Sequence, residues 1–201
     1  KAVEEAINIG EQAQMPVEIS HFKISSRALW GNSPTTLGLV KAARERGLSV
    51  TIDQYLYTAS STSLSVRMPS WATAGGLEEG RKRLADAATR EKIIREMKED
   101  LKKKKCKYYS FAYVASYRAN PEFNGKNIAE ITETARKSKK LEAQIEQIFE
   151  MYEKGGASMV YRVMSEEDVR NILREPFTMI ASDSSVRNFG AGVPHPRGYG
   201  N

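Results

Sequence analysis

The first 57 residues alternate helical and extended patterns with almost no chain to spare between them, and few folds accept that order. Val3, Ala6, Ile7 and Gly10 recur at helical spacing, so residues 1–14 read as an amphipathic helix that Met15-Pro16 ends. Residues 17–21 follow as a short strand, and 25–32 as a polar loop holding Trp30 and Gly31. Ser33 and Pro34 supply an N-cap and a first helical residue; Leu37, Val40, Lys41 and Arg44 continue that helix, and Gly47 closes it. Residues 48–52 form the next strand and run into Asp53, Gln54, Tyr55, Leu56 and Tyr57. Helix–strand–helix–strand with short connections is the pattern of a parallel sheet, open or closed into a (β/α) barrel. Both strands end in polar or ring-bearing residues, so one functional face is expected at their carboxyl ends.

The alternation then breaks. Residues 58–65 are rich in Ser and Thr and read most simply as a surface loop. From Arg67 onward come Gly75-Gly76, Gly80, a charged helical stretch at 84–101, a ring-bearing strand at 108–117, turns at Asn120-Pro121 and Asn124-Gly125, and helices at 128–135 and 141–152. Residues 67–155 therefore read as a mostly helical insertion, a lid subdomain, set into a barrel segment at 1–66. A second barrel segment resumes at 156–201: a strand at 157–163, a helix begun by Ser165 with Asp168 three residues on, and a last strand at 177–181. The chain starts in mid-helix and stops in a loop at Tyr199-Gly200-Asn201, so an internal piece of a longer protein is expected.

Composition narrows the function classes. Hydrophobic residues make up 40% and charged residues 28%, as in soluble domains, and no apolar run is long enough for a membrane span. The single cysteine, Cys106, excludes an intrachain disulfide and fits a reducing, cytoplasmic setting. The net charge of +6 is concentrated in the run Lys102 to Lys105. That run is either a nucleic-acid patch or the solvated end of a charged helix; the second reading is favoured, since cations complement a helix C-terminus. Neither nucleic acid nor membrane is expected as a partner. The open edges of a parallel sheet leave self-association with a second copy as a further expectation.

Two strand ends carry the residues with chemistry. His21 closes the first, and Lys23, two residues on, points the same way if the strand continues. A neutral imidazole beside a cation suits a metal ligand with an anion anchor nearby; the plainer alternative is a structural histidine. Asp183 follows an apolar run at 179–181 and Ser182. It is either a loop or cap carboxylate, or a group that ligates a metal and takes a proton from metal-bound water. Arg197 offers a planar fork for a carboxylate, or a surface ion pair. His195, between two prolines, shapes the same loop.

Residues 17–23, 53–62, Ser182-Asp183 and 195–200, with the Trp30-Gly31 loop and 164–169, resemble the N-acyl-D-amino-acid deacylase (D-aminoacylase) family of the amidohydrolases. The resemblance covers nearly the whole chain in order. It implies a zinc-dependent TIM-like barrel, here roughly strands five to eight with an inserted lid, that hydrolyses the amide of N-acyl-D-amino acids. It implies His21 as a zinc ligand, Asp183 as catalytic aspartate and zinc ligand, and Lys23, Tyr55, Ser61, Thr62, His195 and Arg197 at the substrate. The family's Tyr-Pro-Tyr stands here as Tyr55-Leu56-Tyr57, and its Ser-Asp-Gly as Ser182-Asp183-Ser184. A further zinc histidine has no counterpart, because the chain holds only His21 and His195. A metal-free member and a non-catalytic binding module remain as alternatives.

Overall fold

A computed structural model describes residues 1–184, 190 and 192–198; residues 185–189, 191 and 199–201 lie outside the described residues. In chain order the elements are α1 (Ala2–Ala13), β1 (Val17–Ile19), α2 (Ser33–Glu45), β2 (Val50–Gln54), β3 (Ser60–Ser63), α3 (Ser70–Thr73), α4 (Leu77–Ala85), α5 (Ala87–Lys103), β4 (Ala112–Ser116), α6 (Ile128–Arg136), α7 (Leu141–Glu153), β5 (Ser158–Tyr161), α8 (Glu166–Leu173) and β6 (Thr178–Ile180). They group into two compact units, joined between Thr58 and Ala59 and between Arg162 and Val163, with the chain through His195 returning to the second.

The first unit is built on a parallel sheet in the order β1-β2-β6. Val17 stands opposite Val50, and Ile52 lies level with Ile19 on one side and Thr178 on the other. β2 is central, and its Val50, Ile52 and Gln54 are buried. A strand paired on both sides needs apolar cover, and α1, α2 and α8 supply it: Ile7, Leu37, Val40, Ala43 and Ile172 join Val50, Ile52 and Phe177 in one core. Gly10 lets α1 approach closely, since a Cβ there would meet a Val17 methyl and the Met15 carbonyl oxygen.

Loop chemistry fixes where α2 and α8 start. The Ser165 hydroxyl caps α8 by accepting from the Asp168 amide. The Asp168 carboxylate, 2% exposed, accepts from the Gly31 and Ser33 amides at 2.9 and 3.0 Å. One carboxylate thus satisfies donors at the head of α2, and Trp30 adds a bond from its indole Nε1 to the Val163 carbonyl, 2.9 Å.

The second unit holds an antiparallel sheet in the order β3-β5-β4. Ser60 pairs with Tyr161 and Ser63 with Ser158 on one side of β5; Ala112 pairs with Tyr161 on the other. Its core gathers Leu64, Leu84, Ile93, Met97, Leu101, Tyr109, Phe111, Ile131, Ile145, Phe149 and Met159, all buried. Arg67 lies over the Tyr161 ring at 4.6 Å. α6 opens with a reciprocal capping box: Asn127 accepts from the Glu130 amide and Glu130 from the Asn127 amide. The lysine run closes α5, where Lys104 pairs with Asp100 at 2.7 Å.

Four expectations need correction. The strand expected at 157–163 is β5, and it lies at the centre of the antiparallel sheet rather than extending the parallel one. The parallel sheet among the described residues therefore has three strands. The Ser/Thr stretch expected as a loop contains β3. The helix expected at 84–101 is two helices, because the Asp86 side chain accepts from the Thr89 amide at 2.8 Å and starts α5 anew. The strand expected at 108–117 is shorter, Ala112–Ser116. Among the described residues no helix is long and apolar enough to cross a membrane.

Candidate functional site

In the first unit the sheet's carboxyl ends bring several of the expected residues together. β1 ends at Ile19, and the chain turns at once: His21 takes a left-handed conformation, φ 45°. That conformation is uncommon for a residue with a Cβ. Asp53, on the neighbouring β2, holds the turn. One carboxylate oxygen accepts from the Ser20 hydroxyl and the other from the His21 amide, both at 2.7 Å; the Asp53 carbonyl accepts from the Phe22 amide at 2.8 Å. Phe22 and Ile24 then plunge into the protein, 4% and 6% exposed, while the His21 side chain stays exposed.

Lys23 does not follow strand alternation, which is a second correction of the local geometry. Its ammonium folds back to donate to the His21 carbonyl at 2.6 Å and lies 5.5 Å from the centre of the Tyr55 ring. Burial pushes the Lys23 ammonium down to about 8 from its ordinary value near 10.5; Asp183 and Asp53 nearby oppose that fall, and Arg197 adds to it.

Tyr55, just past β2, is 1% exposed and packs with Met164 and Val169. Burial raises its phenol, partly offset by Arg197. Arg197 lies over the same ring at 5.4 Å, is 8% exposed, and pairs with the Asp183 carboxylate, which is 51% exposed. The Ser182 hydroxyl donates to the Arg197 carbonyl at 2.9 Å and fixes the two segments together. Two cations and one carboxylate thus converge around a buried aromatic ring, beyond the ends of β1, β2 and β6.

Three expected residues belong to the second unit. Ser61 and Thr62 lie on β3 opposite Val160 and Met159, Ser61 half-buried and Thr62 exposed. His195 is 1% exposed, with its Nε2 2.7 Å from the Ala59 carbonyl oxygen. Asp53 and Ser20, which the sequence did not single out, also stand at this turn. The signal available was an acidic residue at the end of the most buried strand, level with the turn after β1.

An imidazole and a carboxylate are donors that a zinc ion accepts, and the side chains of His21 and Asp183 are both solvent-accessible. A catalytic zinc takes three protein ligands, and among the described residues no group of three His, Cys, Asp or Glu converges.

Comparison with known proteins followed the same line. No protein-family model matches the chain. It is 30% identical over 199 residues to a D-aminoacylase of Alcaligenes xylosoxydans xylosoxydans, covering 99% of this chain and 31% of that protein. It is 38% identical over 63 residues to an N-acyl-D-glutamate deacylase of the same organism. Among solved structures, a D-aminoacylase that defines a novel subset of amidohydrolases aligns with TM-score 0.61 at 26% identity, over 99% of this chain and 32% of that one. A D-aminoacylase with a binuclear metal center aligns with TM-score 0.58 at 27% identity, over 90% of this chain and 29% of that one. An N-acyl-D-glutamate deacylase from Bordetella bronchiseptica, complexed with zinc and a phosphonate inhibitor, shares the fold at TM-score 0.60 and 22% identity, over 90% and 29% of the two chains. The chain spans about a third of the length of the relatives that match it throughout.

Proposed function

Because the chain belongs to the D-aminoacylase family of amidohydrolases, we propose that the whole protein hydrolyses the amide bond of N-acyl-D-amino acids at a metal centre. The parallel strands β1, β2 and β6 are then part of a (β/α) barrel, roughly from its strands five to eight, and residues 67–155 form the body of an inserted lid. His21 and Asp183 would contribute to holding the metal, with the remaining ligands supplied by other parts of the protein. When bound, a zinc ion would polarise the scissile carbonyl and lower the pKa of the attacking water.

The chain's own residues have distinct parts in this reading. Asp183 accepts the proton of the attacking water and returns it to the departing amine. Arg197 and Lys23 offer two cations to the substrate carboxylate, and the planar fork of Arg197 suits a bidentate contact. In the structure Arg197 is held by Asp183. A substrate carboxylate that takes over Arg197 therefore leaves Asp183 available for proton transfer. Tyr55 fixes the position of both cations through its ring face. Ser61, Thr62 and His195 are assigned to substrate binding on the family resemblance. The observation that carries the reading is the convergence of Asp183, Arg197 and Lys23 around Tyr55, beyond the carboxyl ends of three parallel strands.

The test uses the full-length protein. Asp183→Asn is expected to abolish turnover of an N-acyl-D-amino acid while zinc, measured by elemental analysis, stays bound. A variant that keeps most of its activity removes Asp183 from the mechanism.

A further inference from the structure

Building on the assignment of His21 to the metal, we propose that Asp53 is the positioning residue for that histidine. Three observations meet at this carboxylate. It is the last acidic residue of the central strand, level in the sheet with Met179 of β6 and standing beside the turn that ends β1. Its two oxygens are both engaged by that turn, one by the Ser20 hydroxyl and one by the His21 amide, each at 2.7 Å. The residue so held is the one with left-handed backbone, φ 45°, in the β1 turn.

The physical consequence follows from where the bonds act. An exposed imidazole owes its direction to its own backbone. A left-handed residue with a Cβ reverts to extended or helical φ unless its neighbours hold it. The Asp53 carboxylate clamps the amide on one side of His21, and the Lys23 ammonium clamps its carbonyl on the other at 2.6 Å. Asp53 therefore does not touch the substrate; it sets the angle at which the His21 ring leaves the sheet. Groups that orient a ligating histidine commonly contribute about 10- to 100-fold in metal affinity.

Zinc affinity of the full-length protein, read by competition with a chromophoric chelator, tests this. Asp53→Ala is expected to weaken zinc binding by about 10- to 100-fold. Asp53→Asn is expected to restore most of it, because the amide oxygen still accepts from the His21 amide and the amide nitrogen can donate to the Ser20 hydroxyl. That rescue separates positioning from charge. Ser20→Ala removes one of the two bonds and is expected to give a smaller loss in the same direction. Wild-type affinity in Asp53→Ala, alongside a loss in His21→Ala, overturns the role of Asp53 and leaves His21 as a ligand. Wild-type affinity in His21→Ala overturns the underlying assignment and this proposal with it. If Asp53→Ala does not fold, Ser20→Ala decides: unchanged affinity overturns the proposal, and a measurable loss supports it.

Discussion

Lys23 is the residue whose charge is most informative about the site. Burial lowers its ammonium to about 8, so the folded, metal-free protein binds this proton less tightly than the unfolded chain does. Between about 8 and 10.5 the unfolded chain holds more protons, and the contribution of Lys23 to stability rises with pH across that window. Below it both states are charged and the burial penalty is present in full. The expected result is that wild type gains stability relative to Lys23→Met as pH is raised from about 7 to about 9.5, measured by urea denaturation of the metal-free protein. A gap that stays constant with pH would place the ammonium in water. His21, Lys23 and Asp183 were singled out from the sequence because each stands just past a strand end. Asp53 was not, because its hydrogen bonds reach residues 32 and 33 positions away, which no local pattern reports.

At the level of elements, helix starts were readable where one side chain serves its own helix, and misread where it serves another. Ser165 was expected to cap α8 and does. Asp168, expected to complete that cap, instead satisfies amides at the head of α2. Asp168→Ala would take this acceptor from both amides, the Ser33 one in a buried setting. It is expected to cost about 1–3 kcal/mol, read by urea denaturation, whereas an ordinary surface carboxylate would cost almost nothing. Gly80 makes a comparable point between α4 and α7. A Cβ there would overlap the Tyr152 hydroxyl and lie 2.8 Å from two of its ring carbons. Gly80→Ala is expected to destabilise by about 1–3 kcal/mol, and by much less when Tyr152→Ala has already removed the ring. Equal costs in both backgrounds would show that another neighbour sets the limit. The pairing of β5 was illegible for a different reason: alternation along residues 158–161 identifies an extended segment but not the strand beside it.

For the molecule as a whole, the shift in composition read near Arg67 falls inside the second unit, which already begins at Ala59 with β3, and its antiparallel sheet carried no signal in the sequence. β3 and β5 are adjacent partners, with Ser60 opposite Tyr161, so the run from Ala59 to Arg162 begins and ends at neighbouring points of one sheet, and the chain comes back to the same unit before Pro196. In the first unit the Met164 amide likewise donates to the Thr58 carbonyl at 3.1 Å, closing the gap between the two departing strands. Residues 59–162 excised as a single piece are expected to unfold cooperatively, followed by circular dichroism; a gradual, featureless melt would mean that the piece has no core of its own. A run that begins and ends on adjacent strands can change in length or content between those two points without re-threading the parallel sheet that carries Asp53. Insertions and deletions inside that run would leave the order β1-β2-β6 as it stands.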